Sequence, residues 1–136
     1  MKQIGFLPAA AVTLGLMAAA MPAFAHHSFA AEYDVKKPVT LTGVVTKIQW
    51  TNPHARFDIS VKDESGGTTI WEFELGSPNG LMRRGWTRSS LKLGDTVTVT
   101  GYLAKDGSKL ANARSVSLAD GRRIFAGSSD DGGPAQ

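Results

Sequence analysis

The sequence predicts an all-β domain, a small barrel with a short helical connection between its third and fourth strands. Three observations predict it. Residues 55–61 and 97–103 alternate apolar and polar side chains with a period of two, as half-buried strands do. Asp106-Gly107 and Asp120-Gly121 punctuate the C-terminal half as tight turns. Between the two groups of strands, Gly76–Gly94 loses the alternation and holds a short helix around Leu81–Arg84 instead.

The chain has 136 residues and opens on a processing signal. Met1-Lys2-Gln3 is a short positive start, Ile4–Met21 carries no charge, and Ala23-Phe24-Ala25 has the small-x-small pattern of a cleavage site. Residues 1–25 are therefore expected to be a cleavable signal peptide, with the mature protein periplasmic and no transmembrane segment left after cleavage. Cysteine is absent, which excludes a lipid anchor at that site, disulfides and thiolate metal sites. Loss of Lys2 lowers the formal net charge from +3 to +2. That small excess is not the clustered positive footprint of a nucleic-acid binder, so nucleic acid is not the expected partner.

Residues 26–38 read as an N-terminal arm without periodicity, anchored by Phe29 and Tyr33 and ended by Pro38. Residues 39–126 are the predicted barrel, and Gly/Ser/Asp-rich residues 127–136 a disordered tail. Val39–Trp50 is β-branched, and its alternation slips at Val44-Val45 just after Gly43, which predicts a bulge or sharp bend. Thr51-Asn52-Pro53 turns the chain. In His54–Asp63, Ala55, Phe57, Ile59 and Val61 share one face, with Arg56, Asp58, Ser60 and Lys62 on the other. Glu64–Gly67 is a hairpin loop, and Thr68–Leu75 returns with Trp71, Phe73 and Leu75 on one face. A short helix is expected around Leu81–Arg84 and a second helical turn around Ser89–Leu91. Strands resume at Asp95, return over Leu110–Leu118, and end in a short strand near Arg122–Ala126. Phe57, Ile59, Trp71, Phe73, Val97 and Val99 are the expected interior. Three strands, a helical connection and two or three further strands match the OB barrel, a five-stranded Greek-key barrel. An open meander or a small sandwich satisfies the same alternation.

The chemistry is concentrated in three histidines, His26, His27 and His54. Cleavage after Ala25 makes His26 the first residue. Its α-amine and its ring then chelate one metal ion, and both can be deprotonated near neutral pH. The ring of His54, beside the turn, completes a three-nitrogen histidine brace. All-nitrogen tetragonal sites suit Cu(II). Three of the four Met lie in the leader and Cys is absent, so the soft sulfur ligands of a Cu(I) carrier are missing. His27 competes, since its ring chelates together with the terminal amine. Glu32 and Asp34 would add a weak oxygen ligand or a hydrogen bond to a ligand. In the plainer reading the terminal histidines are solvated and His54 bonds to backbone.

Other candidates have structural readings. Trp50, Trp71 and Trp86 stack on sugars or bases, or fill a core. Ser77–Gly80 cradles an anion, or simply turns the chain. Arg83-Arg84 meets an acidic partner or solvent. Glu72 and Glu74 fall together on the outer face as paired carboxylates. No nucleophile elbow, metalloprotease helix or phosphate-binding glycine loop is present, so an enzymatic role has the least support and no catalytic residue is named. The leading function is that of a periplasmic Cu(II)-binding protein. The alternative is an OB-like interaction module that binds a polymer, peptide or cell-envelope partner through Thr51–Pro53 and Lys105–Lys109.

His26-His27-Ser28-Phe29-Ala30-Ala31-Glu32-Tyr33-Asp34, Trp50-Thr51-Asn52-Pro53-His54, residues 71–81 from Trp71 to Leu81, Arg84-Gly85-Trp86 and Ala111-Asn112-Ala113-Arg114 resemble an uncharacterised secreted bacterial family, domain of unknown function 6152. The resemblance covers nearly the whole mature chain. It implies Gram-negative export and a small β-barrel, and implies no activity. The brace itself resembles those of periplasmic copper carriers and copper monooxygenases, an analogy of site across different folds.

Overall fold

The computed structural model describes residues 29–126, so the leader, His26, His27 and the tail lie outside it. A four-residue helix, α1 (Phe29–Glu32), leads into a long strand, β1 (Tyr33–Gln49). Next come β2 (Arg56–Lys62), β3 (Thr68–Glu74), α2 (Pro78–Arg83), β4 (Thr96–Ala104), β5 (Leu110–Leu118) and β6 (Arg123–Phe125). No helix among the described residues is long and apolar enough to cross a membrane.

Strand pairing makes a ring. β1 pairs antiparallel with both β2 and β4, β2 with β3, and β4 with β5. The ring closes where β3 and β5 run parallel, from Glu72 opposite Leu110 to Glu74 opposite Asn112. With α2 between β3 and β4, this is the OB-like Greek-key barrel. β6 adds to the C-terminal half of β5, beyond the reach of β3.

β1 serves two neighbours by changing partners at Val44, which faces Thr96 in β4 and Ser60 in β2. The chain must bend sharply there. Gly43 permits it, because a Cβ at that position would lie 2.5 Å from the Ser60 carbonyl oxygen. The expected bulge follows directly, with Thr46 as the extra residue between Val45 and Lys47. β1 also begins at Tyr33, earlier than the Val39 start read from the sequence. Tyr33 pairs with Ala104 and Pro38 with Tyr102, so residues 34–37 bulge out with no period-two pattern to reveal the strand.

The core is the barrel interior. Phe57 and Phe73 face each other across β2 and β3 and stack with centroids 5.5 Å apart. Ile59, Val97, Val99, Ala111, Ala113 and Val116 are buried around them, as the alternation requires. Trp71 is half-buried at the rim of this cluster. Leu81, Trp86 and Leu91 from the helical connection are buried in the same cluster. Ser77 caps α2, its Oγ accepting from the Gly80 N–H at 3.1 Å, with Pro78 in the first turn. That assigns Ser77–Gly80 to capping rather than to an anion cradle. Where a second helical turn is expected, a single turn forms, closed by Ser90 N–H donating to the Thr87 carbonyl.

Candidate functional site

His54 enters the site through strand geometry. Ala55 N–H donates to the Gly76 carbonyl, and Leu75 N–H to the Ala55 carbonyl, which extends the β2–β3 pairing by one residue. Ala55 is buried in the core, so His54 and Arg56 on either side of it turn to the outer face. Glu74 lies opposite Arg56 in the same ladder. Its two carboxylate oxygens are divided. Oε1 is 2.8 Å from His54 Nδ1, and Oε2 accepts from Arg56 Nη2 at 2.8 Å. Arg56 Nη1 donates to Glu72 Oε1 at 2.9 Å.

These contacts complete a row of residues across the outer face. Arg56 faces Glu74, Glu74 faces Asn112, and Asn112 faces Tyr102. The N-terminal segment lies over this row. The Phe29 ring sits 4.6 Å from the Arg114 guanidinium carbon, meets Tyr102 edge-on at 5.8 Å, and tilts against Tyr33 at 5.5 Å. Arg114 is the extra residue of a β5 bulge opposite Thr100 and Gly101, and such a bulge re-aims a side chain. Lys105, in the β4–β5 loop, holds α1 from the other side, its N–H donating to the Glu32 carbonyl and its Nζ to the Ala30 carbonyl.

Tyr33 is 2% exposed under this cover. Its hydroxyl approaches the Glu74 carboxylate without reaching hydrogen-bond geometry. Burial first, then the negative charges of Glu74 and Glu32, pushes the phenol well above its ordinary pKa. Burial alone would lower the Arg56 pKa; the Glu74 and Glu72 carboxylates outweigh it and hold the guanidinium above its usual value. On the same face, burial and the charge of Glu72 raise the Asp58 carboxyl above its ordinary range.

Both glutamates are on the outer face, as alternation predicts, but they are not an exposed pair. Glu74 is 4% exposed, beside Tyr33 and beneath the N-terminal segment. Of the predicted metal ligands, the structure positions His54; His26 and His27 lie outside the described residues. His54 bonds to a carboxylate rather than to backbone. Asp34 accepts from the Lys36 N–H. The carboxylate that meets His54 is Glu74, which the histidine reading did not include. The hairpin at Glu64–Gly67 was the available signal, since folding it about Ser65 sets Arg56 opposite Glu74. Among the described residues, no group of three or more His, Asp or Glu is placed to hold a metal ion unaided. Trp86 is core, 2% exposed, while Trp50 and Trp71 are half-buried.

Fold and site together define a small OB-like barrel whose N-terminal segment docks over a His–Glu–Arg cluster on the outer wall. The chain belongs to the family described as a family of unknown function, DUF6152, whose model matches residues 12–113. No curated protein matches the sequence. Among solved structures, the chain is similar to a mitochondrial single-stranded DNA binding protein from S. cerevisiae, Rim1. The identity is 10% and the TM-score 0.49, over 61% of this chain and 93% of that one. It is also similar to the N-terminal domain of PriB from Thermoanaerobacter tencongensis, with 19% identity and a TM-score of 0.42 over 62% and 97% of the two chains. For yeast Stn1 and Ten1 the values are 14% and 0.41, over 60% and 42%.

Proposed function

We propose that the exported protein binds one Cu(II) ion through the His26 amine, the His26 ring and the His54 ring, and that it works in the periplasm. One observation supports the reading: the segment that leads to His26 is docked on Tyr33, whose hydroxyl approaches the carboxylate that bonds His54. Two residues, His27 and Ser28, lie between Phe29 and His26, a reach of roughly 10 Å when extended. The arm thus needs no long excursion to bring a processed N-terminus to the His54 ring. The donor set suits the metal, since three neutral nitrogens and no sulfur favour Cu(II).

Copper affinity at fixed pH tests this reading in four proteins: one beginning at His26, one with an added N-terminal Met, His54→Ala and His27→Ala. The brace requires large losses with the added Met and with His54→Ala, and little loss with His27→Ala. Unchanged affinity in His54→Ala reduces the site to a terminal chelate of His26 and His27. Intact mass of the periplasmic protein tests the processing, which must leave His26 first.

A second reading is favoured by the opposite part of the outer wall. Val44 and Ile70 are 41% and 50% exposed and flank Ser60 in one row across β1, β2 and β3. Strands 2 and 3 and the flanking loops are where OB barrels take their ligands. In this reading the protein is an interaction module for a polymer, peptide or envelope partner. The half-buried Trp71, with Lys109 Nζ 5.0 Å from its ring, is a reporter at that rim. Its fluorescence should respond to peptidoglycan fragments, oligosaccharide or single-stranded DNA; silence towards all of them removes the module reading.

A further inference from the structure

We infer that Glu74, held by Arg56, is the positioning residue that commits His54 to a single tautomer, so that the ring offers Nε2 and never Nδ1 to a ligand. The inference deepens the copper reading above, on which its functional meaning rests, but its first measurement needs no metal. A carboxylate only accepts, so the nitrogen that meets it must carry the proton. Glu74 Oε1 lies 2.8 Å from His54 Nδ1, so the neutral ring has its proton on Nδ1 and its lone pair on Nε2. In water the two neutral tautomers exchange freely; here one of them loses a charge-assisted bond to a nearly buried acceptor.

Arg56 makes the arrangement rigid. It bridges Glu74 and Glu72 through separate nitrogens, at 2.8 and 2.9 Å, so the Glu74 carboxylate cannot rotate away without breaking a second ion pair. The same division engages both Glu74 oxygens, one with the histidine and the other with the arginine, so the carboxylate acts on the site through the ring. A metal-bound histidine is ordinarily oriented in this way, by a partner on its other nitrogen.

The test uses the protein labelled with 15N-histidine, at pH 8, above the ordinary imidazole range. Long-range proton–nitrogen correlation spectra report which ring nitrogen is protonated. His54 should show a pyrrole-like Nδ1 and a pyridine-like Nε2, and Glu74→Leu should release it to a mixture. A mixed or Nε2-protonated ring in the wild type overturns the proposal, as does a wild-type pattern in a folded Glu74→Leu. Should the Leu variant fail to fold, the wild-type spectrum still decides the tautomer. Cu(II) titration adds the second readout: Glu74→Leu should lose about 10- to 100-fold in affinity. Absence of copper binding alongside the predicted tautomer removes the brace and leaves the positioning role standing.

Discussion

Gly43 lies so close to Ser60 that a Cβ on it would sit 2.5 Å from the Ser60 carbonyl oxygen and 3.2 Å from Val61 Cγ2. The contact marks the place where β1 leaves β4 for β2, and the approaching atom is backbone, which cannot swing aside. Gly43→Ala should therefore cost about 1–3 kcal/mol as an overpacking change. Gly67→Ala is the control. Its Cβ would meet side-chain oxygens alone, Asp63 Oδ2 at 3.4 Å and Ser65 Oγ at 3.9 Å, and should change stability by less than about 0.5 kcal/mol. Urea denaturation of the two variants measures both, and equal stabilities would refute the close approach.

Tyr33 predicts an alkaline limb in stability. Its phenol is raised above the ordinary value of 10.0, chiefly by burial and then by Glu74. In the unfolded chain the phenol ionises near that value, while the folded protein keeps the proton. Above pH 10 the folded state therefore binds more protons than the unfolded one, and stability falls as pH rises. Tyr33→Phe should remove this fall, so the wild-type and variant curves should diverge only above pH 10. At pH 7 the variant should match or slightly exceed the wild type, because it deletes a buried hydroxyl that forms no hydrogen bond. Denaturation from pH 7 to 11 checks both halves.

Phe73 is fully buried and stacked on Phe57 at the centre of the barrel. Phe73→Ala should cost about 3–5 kcal/mol through lost contacts and the cavity left behind. For a domain of this size that corresponds to a Tm fall of at least roughly 12 °C. Thermal melting followed by circular dichroism reads it, and a fall of only a few degrees would mean that Phe73 does not occupy the interior.

Phe29 separates the N-terminal cover from the barrel it lies on. Its ring contacts are to Tyr33, Tyr102 and Arg114, in a small cluster apart from the main core. Phe29→Ala should undock α1 and leave the barrel folded. The amide of Lys105, which donates to the Glu32 carbonyl, reports the event. Its hydrogen exchange should quicken on the order of 100-fold, as expected for about 3 kcal/mol of lost local burial. The amides of Val97 and Val99 should keep their protection. If the copper reading holds, the same variant should weaken Cu(II) binding without touching a ligand.

The sequence by itself determined which way each strand faces. Alternation around Phe57 and Val99 assigned the interior, the slip after Gly43 marked the bend, and the loss of period at Gly76–Gly94 located the helical connection. These are local properties, because a side chain's face is set by parity along its own strand. The same parity put Arg56, Glu72 and Glu74 on the outer wall, the two glutamates as paired carboxylates. Only the tertiary structure decided that this wall is covered. The cover comes from Phe29 and Tyr33, held down by Lys105, whose Nζ meets Ala30 across 75 residues of sequence. The His54–Glu74 pair likewise joins residues 20 apart through the register of a hairpin. Periodicity reports the environment that a strand expects on its core side. It carries no signal for what a remote segment lays over the other side, so the burial of Glu74 and the docking of Phe29 on Tyr33, Tyr102 and Arg114 emerged only from the folded barrel.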